Sequence, residues 1–185
     1  SRFYVHRDIK SSNIMVTSNG DIKLMDFGLM DRIGVSSSGS MSGTAHYLPP
    51  EVPKGGIINE SSDLFSLGIL GYEMITGEMP FQGDTILEII SAILKTSPKK
   101  LSEINPDVSS ELERIIFKLI EKEQADRYLG ANELIKDLSR LSQETIAIDS
   151  VEQKKSYLYC CKLISREQEL NFLKSLFEKL KESLG

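Results

Sequence analysis

His6-Arg7-Asp8-Ile9-Lys10-Ser11-Ser12-Asn13, followed after an apolar hairpin pattern by Asp26-Phe27-Gly28, is the stretch on which the reading of this 185-residue chain turns. Asp8 and Asn13 are 13 − 8 = 5 apart, and Asp8 and Asp26 are 26 − 8 = 18 apart. Between them Ile14, Met15 and Val16 are apolar, Asn19-Gly20 is the dipeptide that best tolerates positive φ, and Ile22, Leu24 and Phe27 resume the pattern. That predicts two short strands joined by a tight turn. Such a hairpin gathers two carboxylates, an amide and an ammonium around one end. Carboxylate and carboxamide oxygens are the hard ligands that Mg2+ prefers, and Mg2+ completes its shell with water and substrate phosphates. A metal-free carboxylate beside a lysine can orient a hydroxyl nucleophile while the lysine stabilises charge on a transferred phosphoryl group. The residues therefore predict a metal-phosphate site.

Outward from the hairpin, Gly28 to Gly43 turns small and polar, with Ser36, Ser37, Ser38, Ser40 and Ser42, which is loop chemistry. Helices dominate after Pro53. The apolar stretch Ser61 to Thr76, with Ser61 or Ser62 as N-cap and Gly77 as its stop, predicts a helix buried in the middle of the domain. A second helix is expected over Thr85 to Leu94. A third begins with a capping box, Ser110-x-x-Glu113, carries Leu112, Ile115, Ile116, Leu119 and Ile120 at helical spacing, and ends near Lys122. A fourth runs from Ala131 to Leu141, and residues 142–162 read as a linker. A last amphipathic helix, Arg166 to Ser183, places Leu170, Leu173, Phe177, Leu180 and Leu184 on one stripe.

Composition narrows the function classes. With 22 basic against 27 acidic residues the formal charge is −5, which weighs against a nucleic-acid partner. The most apolar run, Leu64 to Ile75, is broken by Ser66, Gly68, Gly71 and Glu73 and is far shorter than the roughly 20 residues a bilayer requires. No membrane span is expected. The only cysteines, Cys160 and Cys161, are adjacent and badly placed to bond to each other, so a reducing, cytoplasmic setting is expected. Ser1 opens the chain with neither a signal nor a transit pattern, which reads as a cut inside a longer protein.

His6 through Asn13 together with Asp26-Phe27-Gly28 closely resembles the catalytic loop and metal-binding turn of the eukaryotic-type protein kinases. The resemblance implies that Asp8 accepts the substrate hydroxyl proton, that Asn13 and Asp26 hold Mg2+, and that Lys10 contacts the transferred phosphate of ATP. Lysine two residues after Asp8 is the serine/threonine-kinase pattern, which implies a protein substrate carrying Ser or Thr. Further along, Gly43-Thr44-Ala45-His46-Tyr47-Leu48-Pro49-Pro50-Glu51 resembles the end of an activation segment, with Thr44 in the substrate-positioning loop. Asp63 to Gly68 resembles the central helix that anchors the catalytic loop, and Arg127 matches the arginine that pairs with Glu51. Pro49 for the usual Ala and Phe65 for the usual Trp are mild departures.

The resemblance covers residues 1 to 141 and implies a mainly α fold: the C-terminal kinase lobe, helical with a short β-hairpin carrying the active site. The glycine-rich loop, the strand lysine and its glutamate partner have no counterpart here, so the isolated chain is expected to be inactive. Leu163 to Leu170 and the helix after it resemble the opening of an AAA-type ATPase module, over residues 163–185.

Several residues keep two readings. His6 is expected to pack and hydrogen-bond inside the loop and not to act as a base. The serine run is either a plain polar loop or an activation loop whose phosphorylation Arg7 would sense. A rival function from another class is a non-catalytic kinase-like scaffold or docking module, against which the intact Asp8, Lys10, Asn13 and Asp26 argue.

Overall fold

A long helix, Glu60–Thr76, is the axle of the structure, a computed structural model that describes residues 5–26 and 45–142. Helix α1 is entered through Asn59, not Ser61 or Ser62 as expected. The Asn59 carboxamide accepts the Ser61 amide at 2.9 Å, and the Asn59 amide donates to Ser62 Oγ at 3.1 Å. The two serines lie buried in the first turn, where Ser62 is drawn to a carboxylate described below. Gly77, at φ 72° and with its amide on Glu73 O at 2.7 Å, stops the helix where the sequence says it must.

Helix α2, Ile86–Lys95, starts from a complete Thr85/Glu88 capping box and buries Ile89 and Ile93. The single-turn helix α3, Leu101–Ile104, was not legible, because four residues carry no period; it exists to bury Leu101. Helix α4, Ser110–Leu119, stops short of Lys122. Its expected Ser110/Glu113 box does not form. Ser109 Oγ caps the Leu112 amide at 3.2 Å instead, which frees Glu113 to accept the Ser102 amide at 2.7 Å and hold α3 against α4. Helix α5, Ala131–Ser142, buries Leu134 and half-buries Ile135 and Leu138.

Helices α1 and α4 touch nearly backbone to backbone. A Cβ on Gly68 would stand 2.6 Å from Leu119 Cβ, and one on Gly71 2.6 Å from Ile116 Cδ1. Around that contact Phe65, Ile69, Phe81, Ile93, Leu101, Ile115 and Tyr128 form a fully buried core.

The hairpin pairs β1, Ile14–Val16, with β2, Ile22–Leu24, antiparallel in the register Ile14 to Leu24 and Val16 to Ile22. Its connection runs from Thr17 to Asp21 and is the tight turn expected: the Gly20 amide donates to Thr17 O at 2.9 Å, and Gly20, not Asn19, takes the positive φ. The apolar pattern is not a buried face: Val16 and Ile22 are 67% and 73% exposed. Phe27, Gly28, the serine loop and Thr44 lie outside the described residues, as do the segments 143–162 and 163–185 with their expected linker, amphipathic helix and ATPase-like opening.

Candidate active site

The loop before the hairpin carries a conformation it would not adopt unaided. Arg7 sits at φ 68° and Asp26 at φ 60°, the left-handed region that costs a non-glycine residue about 1–2 kcal/mol. Asp63, on α1, holds the first of them: its Oδ2 accepts the His6 amide at 2.6 Å and its Oδ1 the Arg7 amide at 2.8 Å. Burial pushes the Asp63 carboxyl up, and the two amides oppose that by stabilising the ionised form.

His6 is buried and links the loop to the hairpin, with its Nε2 donating to Met25 O at 3.0 Å. That tautomer leaves Nδ1 to accept the Asp8 amide weakly, at 3.4 Å. The Met25 amide in turn donates to Asn13 O at 2.8 Å. Asp26 thus leaves the hairpin from a residue, Met25, whose carbonyl is held by His6 and whose amide is held by Asn13.

Asp8, Lys10 and Asn13 are in direct contact. Asn13 Nδ2 donates both to Asp8 O and to Asp8 Oδ2, each at 2.8 Å, and Lys10 Nζ bridges to the same Oδ2 at 2.9 Å. Two consequences follow from the donor inventory. Asp8 Oδ1 takes part in none of these contacts, so among the described residues it is the carboxylate oxygen without a hydrogen-bond partner. The Asn13 amide is oriented by its two acceptors, so its carbonyl Oδ1 is the atom left for a cation.

A divalent cation fits this donor set: Asn13 Oδ1 and the exposed Asp26 carboxylate are hard oxygens. Among the described residues no group of three His, Cys, Asp or Glu side chains gathers at metal distance.

Farther from the loop, Glu51 and Arg127 form a buried fork. Arg127 Nη2 donates to Glu51 Oε2 at 2.9 Å and Nη1 to Oε1 at 3.1 Å, while Ser62 Oγ donates to Oε1 at 2.5 Å. The other guanidinium donors reach the carbonyls of Ser61, Glu121 and Lys122, so all five N–H groups are used. Burial alone would raise the Glu51 carboxyl, but the hydrogen bonds from Arg127 and Ser62 outweigh it and hold it below the usual carboxylate range. Arg7, by contrast, turns an exposed side chain outward.

Three residues that spacing did not single out also belong to this neighbourhood. Tyr47 donates a short hydrogen bond to Glu73 Oε2, and its hydroxyl lies 3.1 Å from Ser11 Oγ. Lys122 places its ammonium 3.6 Å from the centre of the Phe81 ring. These partners are 26 to 41 positions apart in the chain, a separation that no local pattern encodes.

A helical lobe whose central helix pins a strained loop carrying Asp8, Lys10 and Asn13 is the carboxyl-terminal half of a protein kinase domain. Residues 1–138 match the protein kinase domain family, and the chain belongs to that family. It is similar to a probable serine/threonine-protein kinase of Clostridium perfringens, with 36% identity over 159 residues covering 83% of this chain and 23% of that protein. It is also similar to the serine/threonine-protein kinase PknB of Mycolicibacterium smegmatis, 35% identical over 144 residues, 75% of this chain and 23% of the relative. To PknL of Mycobacterium tuberculosis it is 36% identical over 143 residues, 76% of this chain and 36% of the relative. The chain therefore spans about a quarter of the length of the first two. A protein kinase domain works with ATP and a divalent metal ion. No helix among the described residues is long and apolar enough to cross a membrane.

Proposed function

We propose that this chain supplies the catalytic loop and metal-binding turn of a protein kinase that transfers the γ-phosphoryl group of ATP to Ser or Thr hydroxyls of a protein substrate. The observation that supports the reading is the state of Asp8, one oxygen held by Asn13 and Lys10 and the other without a hydrogen bond to any described residue.

In this reading Asp8 Oδ1 receives the proton of the attacking hydroxyl as the new phosphorus–oxygen bond forms and the bond to the leaving diphosphate breaks. Lys10 Nζ, beside that carboxylate, offsets negative charge on the transferred group. Asn13 Oδ1 and Asp26 would hold Mg2+, which when bound draws the phosphate oxygens into line and neutralises their charge. Arg7, whose side chain is exposed, would sense a phosphorylated serine or Thr44 of the activation segment, and Glu51, paired with Arg127, would close that segment.

The test uses the full natural polypeptide, labelled Mg-ATP and a peptide library containing both Ser and Thr. Asp8→Asn should lower the transfer rate by about 10²–10⁴-fold, and the acid hydrolysate should contain phosphoserine or phosphothreonine. Transfer that survives Asp8→Asn, or label found only on tyrosine, would refute the reading. Mg2+-dependent nucleotide binding without any transfer would favour the scaffold instead.

A further inference from the structure

The catalytic loop is held on its amino-terminal side by Asp63 and on its hairpin side by His6 and Asn13, and a further contact meets it next to Lys10. Ser11 Oγ is 3.1 Å from Tyr47 Oη, and Tyr47 donates to Glu73. A phenol has one proton. Because that proton is given to the Glu73 carboxylate, Tyr47 Oη can only accept from Ser11, so the direction of the line is fixed as Ser11 to Tyr47 to Glu73. Burial first, and then the Glu73 carboxylate, push the Tyr47 phenol up, which keeps that proton in place.

Tyr47 is a rigid post. Its ring is 6% exposed, its carbonyl accepts Ser66 Oγ at 2.8 Å, and its hydroxyl is held by Glu73. Ser66 and Glu73 both lie on α1, so the main chain and the tip of the side chain are tied to the same helix. Ser11, by contrast, is an exposed residue in a single 3-10 turn, Ser11–Asn13, whose preceding residue makes no side-chain cap. The exposed start of the turn is thus hung on a buried post. Lys10 and Asn13, which hold Asp8, are the residue before Ser11 and the last residue of its turn.

We infer that Ser11, Tyr47 and Glu73 form a positioning line that sets the placement of Lys10 and Asp8 for phosphoryl transfer, with Tyr47 as its fixed member. This rests on the kinase reading above. The line acts on the geometry of the loop and touches neither nucleotide nor hydroxyl substrate, so its loss should appear in kcat and spare nucleotide affinity. It also couples the residues just before Glu51 to the catalytic loop without passing through the Glu51–Arg127 fork.

The experiment compares Tyr47→Phe, Ser11→Ala, Ser11→Thr and the Tyr47→Phe/Ser11→Ala double variant with the natural full-length protein. Tyr47→Phe and Ser11→Ala should each lower kcat about 10-fold, the scale set by sub-ångström misplacement of catalytic groups, with KM for ATP within about twofold. The double variant should lose no more than either single one, because both remove the same link. Ser11→Thr, which keeps the hydroxyl, should recover most of the rate. Amide hydrogen exchange of the peptide containing Lys10 to Ile14 should quicken about 10-fold in Tyr47→Phe, while α1 peptides keep their protection.

Unchanged kcat in both single variants, additive losses in the double, or unchanged exchange at Lys10–Ile14 each overturn the inference. Asp8→Asn run in parallel separates the two failures: if it retains transfer the kinase reading falls, and the exchange measurement still decides whether the line holds the loop.

Discussion

Lys122 is the residue whose replacement tests the packing argument most directly. Its Nζ is buried with no hydrogen-bond acceptor among the described residues and rests 3.6 Å from the Phe81 ring centre. Burial, with Arg127 and Lys54 adding repulsion and Glu121 opposing it, pushes the ammonium down from 10.5 to about 8. At roughly 1.36 kcal/mol per pH unit that is a penalty of about 3 kcal/mol on the charged form in the fold. The Phe81 face and the half-exposed stem return part of it, which leaves about 1–2 kcal/mol. Below pH 8 the folded and unfolded chains both carry the charge, so the penalty is full. Between about 8 and 10.5 the unfolded chain still binds the proton and the folded chain has released it, so stability rises with pH through that window. Lys122→Met keeps the stem and removes the charge. Urea unfolding of the full protein, followed by exchange protection of α1 and α4 peptides, should find the Met variant about 1–2 kcal/mol more stable at pH 7. The advantage should shrink to nothing by about pH 10.5, and taking the difference between variants cancels every other titration. A Met variant less stable than the natural protein at pH 7, or a difference flat from pH 7 to 10, would refute the reasoning.

Two other substitutions probe the same core. Arg127→Met leaves the Glu51 carboxylate buried without its fork and should cost about 3–5 kcal/mol in the same assay, more than Glu51→Gln, which keeps an acceptor for Arg127; a loss below about 1 kcal/mol would contradict the burial of the pair. Gly68→Ala puts a methyl 2.6 Å from Leu119 Cβ and should cost about 1–3 kcal/mol by prising α1 from α4, whereas an unchanged midpoint would show that the two helices can part freely.

What the sequence made legible was what local rules encode. The long helix over residues 60–76, its stop at Gly77 and the strands around Gly20 were readable because propensity, period and turn chemistry act within a few residues. The errors share one cause. Ser110 and Glu113 have the spacing of a capping box, yet Glu113 serves the Ser102 amide, 11 positions back, because the tertiary packing sets α3 beside α4. Ser61 and Ser62 are good N-caps by composition, yet Asn59 caps and Ser62 is spent on Glu51. The hairpin is apolar at Ile14, Met15, Val16, Ile22 and Leu24 and still exposes Val16 and Ile22. At the site, the contacts of Asp8 with Lys10 and Asn13 span at most five positions, which is why spacing alone pointed to them. Tyr47, Glu73 and Lys122 earn their places through contacts that only tertiary structure makes.

The two left-handed residues explain why so much of the lobe is committed to so short a loop. Arg7 and Asp26 flank the candidate site, one just before Asp8 and the other just after the hairpin, and neither is the glycine that would make its backbone conformation easy. Each strained residue must therefore be held from outside. The Arg7 amide is held by Asp63, 56 positions away, and Met25, the residue before Asp26, by His6 and Asn13, 19 and 12 positions away (25 − 6 and 25 − 13). Asp63 can do this because α1 is fixed at its own ends by Asn59 and Gly77 and along its length by the close approach of α4. A carboxylate that is desolvated and yet gives both oxygens to main-chain amides is costly to form and costly to release, which favours one loop conformation over its relaxed alternatives. The helical core is thus a source of the loop's geometry: the packing of α1 against α4 fixes Asp63, and Asp63 fixes the backbone of Arg7 immediately before Asp8.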